Sequence, residues 1–328
     1  MKAAFRDRYG PPEVVEIREV ERPKPSDGQL LVRVRAASVN RADLDGLKPK
    51  PSFARLFMGL RGPREHGVGL DVAGVVESVG PEVTRFKPGD QVFTDMFAAG
   101  RSGGAFAEFV CGRERAFEPM PAGISFEEAA TLPHSAVLAL QGLRRRNGQA
   151  VTAGDRVLID GASGNVGPFA VQIAKAMGAE VTAVASTDKL DFVRSLGADH
   201  VIDYTTVDYT KAKERYDWIV AVDSHHSILA VRRALRPNGI YVTMGGETGS
   251  ILASVFVGPL ISLFSDRWSG LLLWWKPMHR PDVETLKELI ATGKVRPVID
   301  RRVPLTEIVE ALRYVDEGRA RGKVIVTI

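Results

Sequence analysis

The segment Gly161-Ala162-Ser163-Gly164-Asn165-Val166-Gly167 constrains this chain more than any other. It follows the apolar triplet Val157-Leu158-Ile159 and precedes Pro168, where a helix to residue 177 is predicted. Small residues in such a turn let the backbone approach a pyrophosphate, and the helix behind it offers unpaired N–H groups and a partial positive charge. Pro168 forfeits only an N–H that has no intrahelical partner. Short apolar strands and helices then alternate: strand 181–184, helix 189–196, strand 201–202, strand 218–222, helix 228–235 and strand 240–244. This order predicts βαβ units and a parallel sheet with both faces covered. In that context the turn reads as a dinucleotide cradle.

The same strand order bears on which dinucleotide. A fold that prefers NAD places Asp or Glu at the tip of the second strand, about 20 residues on. Here that strand ends Val184-Ala185-Ser186-Thr187, and Lys189 follows where it can meet a 2′-phosphate. Asp188 is expected to start the next helix. NADPH is therefore the expected cofactor. Asp223, at the end of its strand, is expected near the crevice where such sheets bind ligands.

The first third reads differently. Strands at 14–20, 30–37, 72–79 and 107–110 are separated by Pro/Gly punctuation, predicting a small antiparallel barrel. From Ser125, a plausible N-cap, helical spacing runs over 126–146 and ends in Arg144-Arg145-Arg146, read as a solvated helix end. Formal net charge is +4, too balanced for nucleic acid to be the expected partner. A single cysteine, Cys111, excludes an internal disulfide and a multi-thiolate zinc site. The charged start and the break at Ser265-Asp266-Arg267 in the apolar region 251–275 argue against a signal peptide and a spanning helix. A soluble, cytoplasmic protein is expected.

With the barrel segments in front of the turn, the chain resembles the medium-chain dehydrogenase/reductase superfamily, and within it the zinc-independent quinone oxidoreductase branch. The likeness rests on 32–40 with its Asn40, Gly69-Leu70-Asp71-Val72-Ala73-Gly74, Phe86-Lys87-Pro88-Gly89-Asp90, Gly103-Gly104-Ala105-Phe106-Ala107-Glu108, the glycine turn, and Arg321-Gly322-Lys323-Val324-Ile325-Val326. It implies a Rossmann doubly wound parallel-sheet domain at 125–291, and a GroES-like antiparallel β-barrel domain from 1–124 and 292–328. Zinc-using relatives hold their catalytic metal with a Cys where this chain has Asn40 and a His where it has Leu70, so no metal is expected. The branch places the equivalents of Lys189 and Tyr204 beside the adenosine 2′-phosphate, and Gly245-Gly246 looks like its nicotinamide loop.

The resemblance implies direct hydride transfer to an acceptor already activated by conjugation, a quinone or an α,β-unsaturated carbonyl. Asn40 is the expected orienting residue, with Asp43 and Arg41 on its segment. The loop Lys48-Pro49-Lys50-Pro51-Ser52-Phe53 lacks the Tyr that enone-reducing relatives often carry there. Solvent and His134 both stay open as the proton source, while His66 and His225-His226 read as surface groups. Alternatives are an enoyl-thioester or ketone/alcohol oxidoreductase, for which Lys50, Arg61 and Arg64 leave a basic channel open, and a non-catalytic NADPH-binding protein. A homodimer is expected, with 270–275 read as the last strand and the helix before it as an apolar lid or membrane rest.

Overall fold

The computed structural model describes residues 1–49, 55–100, 103–145, 147–223 and 225–328. It divides into two compact units. The first comprises Met1–Val137, Pro277–Lys287 and Pro297–Ile328; the second comprises Leu138–Lys276 and Glu288–Arg296.

In the second unit six strands pair in parallel, in the spatial order His200–Asp203, Glu180–Ala185, Arg156–Asp160, Tyr216–Ala221, Leu235–Thr243, Trp268–Leu271. Taken in chain order this is 3-2-1-4-5-6, the doubly wound arrangement. Val157, Leu158, Ile159, Ile219 and Val220 are fully buried, which is why these strands read as unbroken apolar runs. The order reverses between Arg156–Asp160 and Tyr216–Ala221, and the glycine turn leaves the sheet there.

The first unit is built on one long strand, Gln29–Val39. It pairs antiparallel with Asp71–Val79 on one side, and with Phe109–Arg113 and then Lys323–Thr327 on the other. Gln91–Asp95 and Glu118–Pro119 extend the sheet beyond Asp71–Val79; Ile299–Pro304 joins Lys323–Thr327 in parallel. Leu30, Val32, Val39, Val92, Phe106, Phe117, Val324 and Val326 form its apolar core.

Three expectations change. The helix expected over 126–146 is broken. Phe126–Ala129 is followed by a π-helical turn, Leu132–Ala136, and the helix resumes only over Val137–Gly142. Ser125 caps it as expected, its Oγ accepting from the Glu128 N–H. Arg144 and Arg145 therefore lie beyond the helix; burial lowers both guanidinium pKa values, and Arg145 lies 4.7 Å from the Trp268 ring centroid. Arg146 falls outside the described residues. Second, the last strand is Trp268–Leu271 rather than 270–275, because its register with Ile240–Thr243 ends at Leu271. Third, 125–137 and 277–287 pack with the first unit. The reason is polar: the π-helical turn hydrogen-bonds into the sheet of that unit.

The apolar helical segment of the second unit has an inverted polarity. Ser254 and Gly258 are buried, and the Ser269 N–H donates to Ser262 Oγ at 2.9 Å, while Phe256, Val257, Leu260, Leu263 and Phe264 point outward. Phe264 is 86% exposed.

Candidate functional site

In the second unit the glycine turn closes on itself. A Cβ at Gly167 would lie 2.3 Å from the Gly161 carbonyl oxygen and 2.4 Å from the Ala162 carbonyl carbon, both backbone atoms. A Cβ at Gly164 would meet nothing nearer than 3.8 Å, so that backbone lies open on its outer side. The Ala162 N–H donates to Val184 O at 3.0 Å and ties the turn to the second strand. Val166 heads helix Gly167–Ala176 without a side-chain cap, leaving its first N–H groups to an anion. Ser163 and Val166 are buried, and Asn165 completes the turn. These residues fit a dinucleotide pyrophosphate.

The residues expected at the adenosine end converge. The Tyr204 N–H donates to Ala185 O at 3.2 Å, which places Tyr204 at the tip of the second strand beside Ser186, Thr187 and Lys189. Ser186 Oγ donates to Asp188 at 2.6 Å and Thr187 Oγ1 to Asp203 at 2.5 Å, so both nearby carboxylates already hold hydroxyl donors. Asp188 lies in the short 3-10 turn Thr187–Lys189, just ahead of the helix it was expected to start. Lys189 is buried and Tyr204 exposed. Beyond the central strands stand Asp223, whose N–H is 3.4 Å from where a Gly161 Cβ would be, and Gly245, whose Cβ would be 3.0 Å from Val222 O; Gly246 follows. His225 reaches Asp223 and Glu247, each at 3.4 Å.

Sequence reasoning missed Asp160, the residue immediately before the turn. Burial pushes its carboxyl up to about 6, against the hydrogen bond donated by Tyr209 at 3.1 Å. The signal available was an acid ending an apolar strand.

The first unit places Asn40 and Asp43 inside a buried polar cluster that sheet register assembles. Ser38 pairs with Asp71, and Asp71 with Asp95, across three strands; Val39 pairs with Val324, bringing Lys323 alongside Asn40. Lys323 Nζ donates to Asn40 Oδ1 at 2.6 Å and Ser135 Oγ at 3.0 Å, and lies 3.3 Å from Asp71 Oδ2. Asn40 Nδ2 donates to Asp71 Oδ2 at 2.9 Å, and Ser135 Oγ to Asn40 Oδ1 at 3.1 Å. Asn40 is 1% exposed, so its amide is a filled node of the cluster rather than an open donor. Burial drives the Lys323 pKa down and the Asp71 pKa up, each opposed by the other's charge.

Asp43 caps the helix Arg41–Leu47. Its Oδ2 accepts from the Asn40 N–H at 2.7 Å, while Oδ1 is buried with no hydrogen-bond partner among the described residues. Burial pushes this carboxyl up to about 7. Asp71, Asp95, Ser135 and Lys323 were not singled out as site residues from the sequence. Each reads alone as a strand end or a surface group, and only the pairing unites them.

The donor set does not suit a catalytic zinc. Leu70 has no ligand atom, and Asn40 Oδ1 already holds an ammonium. Among the described residues no group of three His, Cys, Asp or Glu side chains is placed to hold a metal ion. Cys111 is buried and its thiol is pushed up to about 11 by that burial. Lys50 and 51–53 fall outside the described residues. No helix among the described residues is long and apolar enough to cross a membrane.

Two family models match: the alcohol dehydrogenase GroES-like domain over residues 26–141, and the zinc-binding dehydrogenase family over 196–326. The mouse protein named NAD(P)H oxidoreductase RTN4IP1, mitochondrial, is 32% identical, covering 100% of this chain and 89% of its own length. The Arabidopsis thaliana NADPH-dependent alkenal/one oxidoreductase, chloroplastic, is 30% identical over 99% of this chain and 79% of its own. Among solved structures, the quinone oxidoreductase from Coxiella burnetii superposes with a TM-score of 0.85 at 28% identity, covering 100% of this chain and 99% of that one. The chain belongs to the medium-chain dehydrogenase/reductase superfamily, in its quinone oxidoreductase-like branch, and is an oxidoreductase that works with a nicotinamide cofactor.

Proposed function

We propose that the chain is a metal-free, NADPH-dependent reductase that passes hydride to quinones or α,β-unsaturated carbonyls. The observation that carries this reading is the Lys323 ammonium held on Asn40 Oδ1 and Ser135 Oγ, beside a position 70 that offers no ligand. Without a Lewis acid, the acceptor must bring its own activation, and conjugated carbonyls do. The names of the Arabidopsis and Coxiella relatives support the two acceptor classes.

Bound NADPH supplies the hydride. The open backbone at Gly164 and the N-terminus of helix Gly167–Ala176 hold the pyrophosphate; Lys189, Tyr204, Ser186 and Thr187 take the 2′-phosphate end; Asp223, Gly245 and Gly246 border the nicotinamide end. NADPH over NADH is supported by the absence of an available carboxylate at the second-strand tip, where Asp188 and Asp203 are hydroxyl-bonded. Asn40 and Asp43 act by fixing the polar cluster, since their own polar atoms are turned into it.

A homodimer completes the proposal. Trp268–Leu271 is an edge strand with a free side, and the outward apolar stripe from Phe256 to Phe264 packs beside it. A second copy matches both features at once.

The test is NADPH oxidation by purified protein, with chelator present, across naphthoquinones, alkenals, cyclic enones and simple ketones. Chelator-resistant turnover on quinones or enones, faster with NADPH than with NADH, supports the reading. Turnover confined to simple ketones, or lost on chelation, overturns it.

A further inference from the structure

We propose that His134, held by Asp95, is the group that delivers the proton in this reduction, which makes His134 a catalytic residue and Asp95 its positioning partner. The inference rests on the reductase reading above and names what that reading leaves open, the source of the proton.

Position is the first argument. The π-helical turn Leu132–Ala136 carries His134 and Ser135 together, and turns of this kind recur at functional sites. Ser135 Oγ donates to Asn40 Oδ1, and the His134 backbone N–H donates to Asp71 Oδ1 at 3.0 Å. His134 is thereby fastened to both ends of the buried cluster through two separate bonds.

The second argument is orientation. His134 Nδ1 lies 3.1 Å from Asp95 Oδ2, and Asp95 is fully buried. The other Asp95 oxygen accepts the Phe97 N–H at 2.7 Å, so the carboxylate cannot swing away. A carboxylate on Nδ1 fixes that nitrogen as a donor and leaves Nε2 to carry the transferable proton. The His134 side chain is 13% exposed, which keeps a route to solvent for reloading.

The third argument is electrostatic. The groups that face the ring come from four elements: Asp95, Asp71, Lys323 and, more weakly, Asp43. Burial opposes a charged ring, but the hydrogen bond and charge of Asp95, with the charge of Asp71, outweigh it and raise the His134 pKa despite Lys323. The imidazolium therefore persists to higher pH than in water.

The step balances. Hydride added at the β-carbon of an enone breaks the C=C π bond and leaves an enolate. The Nε2 proton of His134 passes to that enolate, the ring becomes neutral, and one proton from solvent restores it. The acceptor gains two electrons and two hydrogens, and the dinucleotide is oxidised. A quinone follows the same count, with the proton going to the oxyanion.

The test compares wild type with His134→Gln and Asp95→Asn on an alkenal and a naphthoquinone, reading kcat and KM from pH 5.5 to 9.5. Wild-type kcat should fall on an alkaline limb and show a solvent deuterium isotope effect. His134→Gln should lose about 10²-fold or more in kcat, lose the limb, and keep its NADPH affinity. Asp95→Asn should move the limb to lower pH. If His134→Gln fails to fold, the wild-type limb, the isotope effect and the Asp95→Asn shift decide the matter alone. A wild-type kcat flat with pH and free of an isotope effect, or a His134→Gln enzyme within twofold of wild type, overturns the assignment and leaves the reductase reading standing. No turnover by wild type on any conjugated acceptor overturns both.

Discussion

Asp43→Asn should make the protein more resistant to alkaline pH, although it removes a buried hydrogen-bonding carboxylate. The Asp43 pKa is raised from an ordinary 3.8 to about 7, chiefly by burial. A carboxyl whose folded pKa is raised contributes stability that is fully present below the unfolded value and is lost as pH rises through the folded one. Each pH unit in that window is worth about 1.4 kcal/mol, so the whole window removes roughly 4 kcal/mol, of which roughly 3 kcal/mol is lost between pH 5 and pH 8.5. Asparagine at this position keeps an oxygen for the Asn40 N–H and stays neutral in both states. The difference in stability between the variant and wild type should therefore move by roughly 3 kcal/mol in the variant's favour over that range. At about 2–4 °C per kcal/mol for a unit of this size, the melting-temperature difference moves by roughly 5–10 °C. Thermal melts of both proteins at pH 5 and pH 8.5 measure it directly. A difference independent of pH would falsify the claim that Asp43 holds a proton in the folded state.

Other substitutions test the remaining parts. Gly164→Ala should fold with an unchanged melting temperature yet bind NADPH at least tenfold more weakly in a fluorescence titration, because its methyl group occupies the open side of the turn. Gly167→Ala meets backbone at 2.3 Å and should destabilise the second unit as well; equal melting temperatures for the two variants would contradict that contrast. Lys323→Met strands the Asp71 carboxylate and should cost about 3–5 kcal/mol in a denaturant titration, with part of it recovered in Lys323→Met/Asp71→Asn. No recovery in the double variant would mean that packing, not charge, is what Lys323 supplies. Leu260→Lys with Phe264→Lys should convert a dimer to a monomer in sedimentation velocity at little change in melting temperature; an unchanged sedimentation coefficient removes the stripe from the interface.

The parts of this molecule that were legible in its sequence are those where local sterics restrict the residue type. Gly167 has no room for a side chain, Pro168 suits only a first helical turn, and 157–159 must be apolar because both sheet faces are covered. Register carries the rest, and it leaves no local trace. Lys323 and Asp71 are 252 positions apart, Lys323 and Ser135 188, and nothing near any of them marks a buried charge. The helix expected over 126–146 failed for a related reason. Helical periodicity sees side-chain faces, whereas the π-helical turn is held by the backbone N–H of His134 on an Asp71 oxygen from another strand. At the sheet edge, Trp274 and Trp275 resemble strand residues in isolation, but ladder pairing stops at Leu271.

The cluster in the first unit also explains why one acid there is neutral while its neighbours are not. Asp43, Asp71 and Asp95 share a desolvated space with two possible cations, Lys323 and His134. Lys323 touches Asp71 and His134 touches Asp95, so each of those carboxylates has its own partner. Asp43 has only a backbone N–H on one oxygen, and keeping a proton is its way of avoiding a third buried negative charge. The balance is then closed: two carboxylates, two cations, one neutral acid. Proton loss from His134 breaks it and leaves the interior one negative charge in excess, which itself favours recapture of a proton from solvent. The burial that holds the proton on Asp43 and the pull that reloads His134 thus have one origin, an interior that tolerates charge only in pairs.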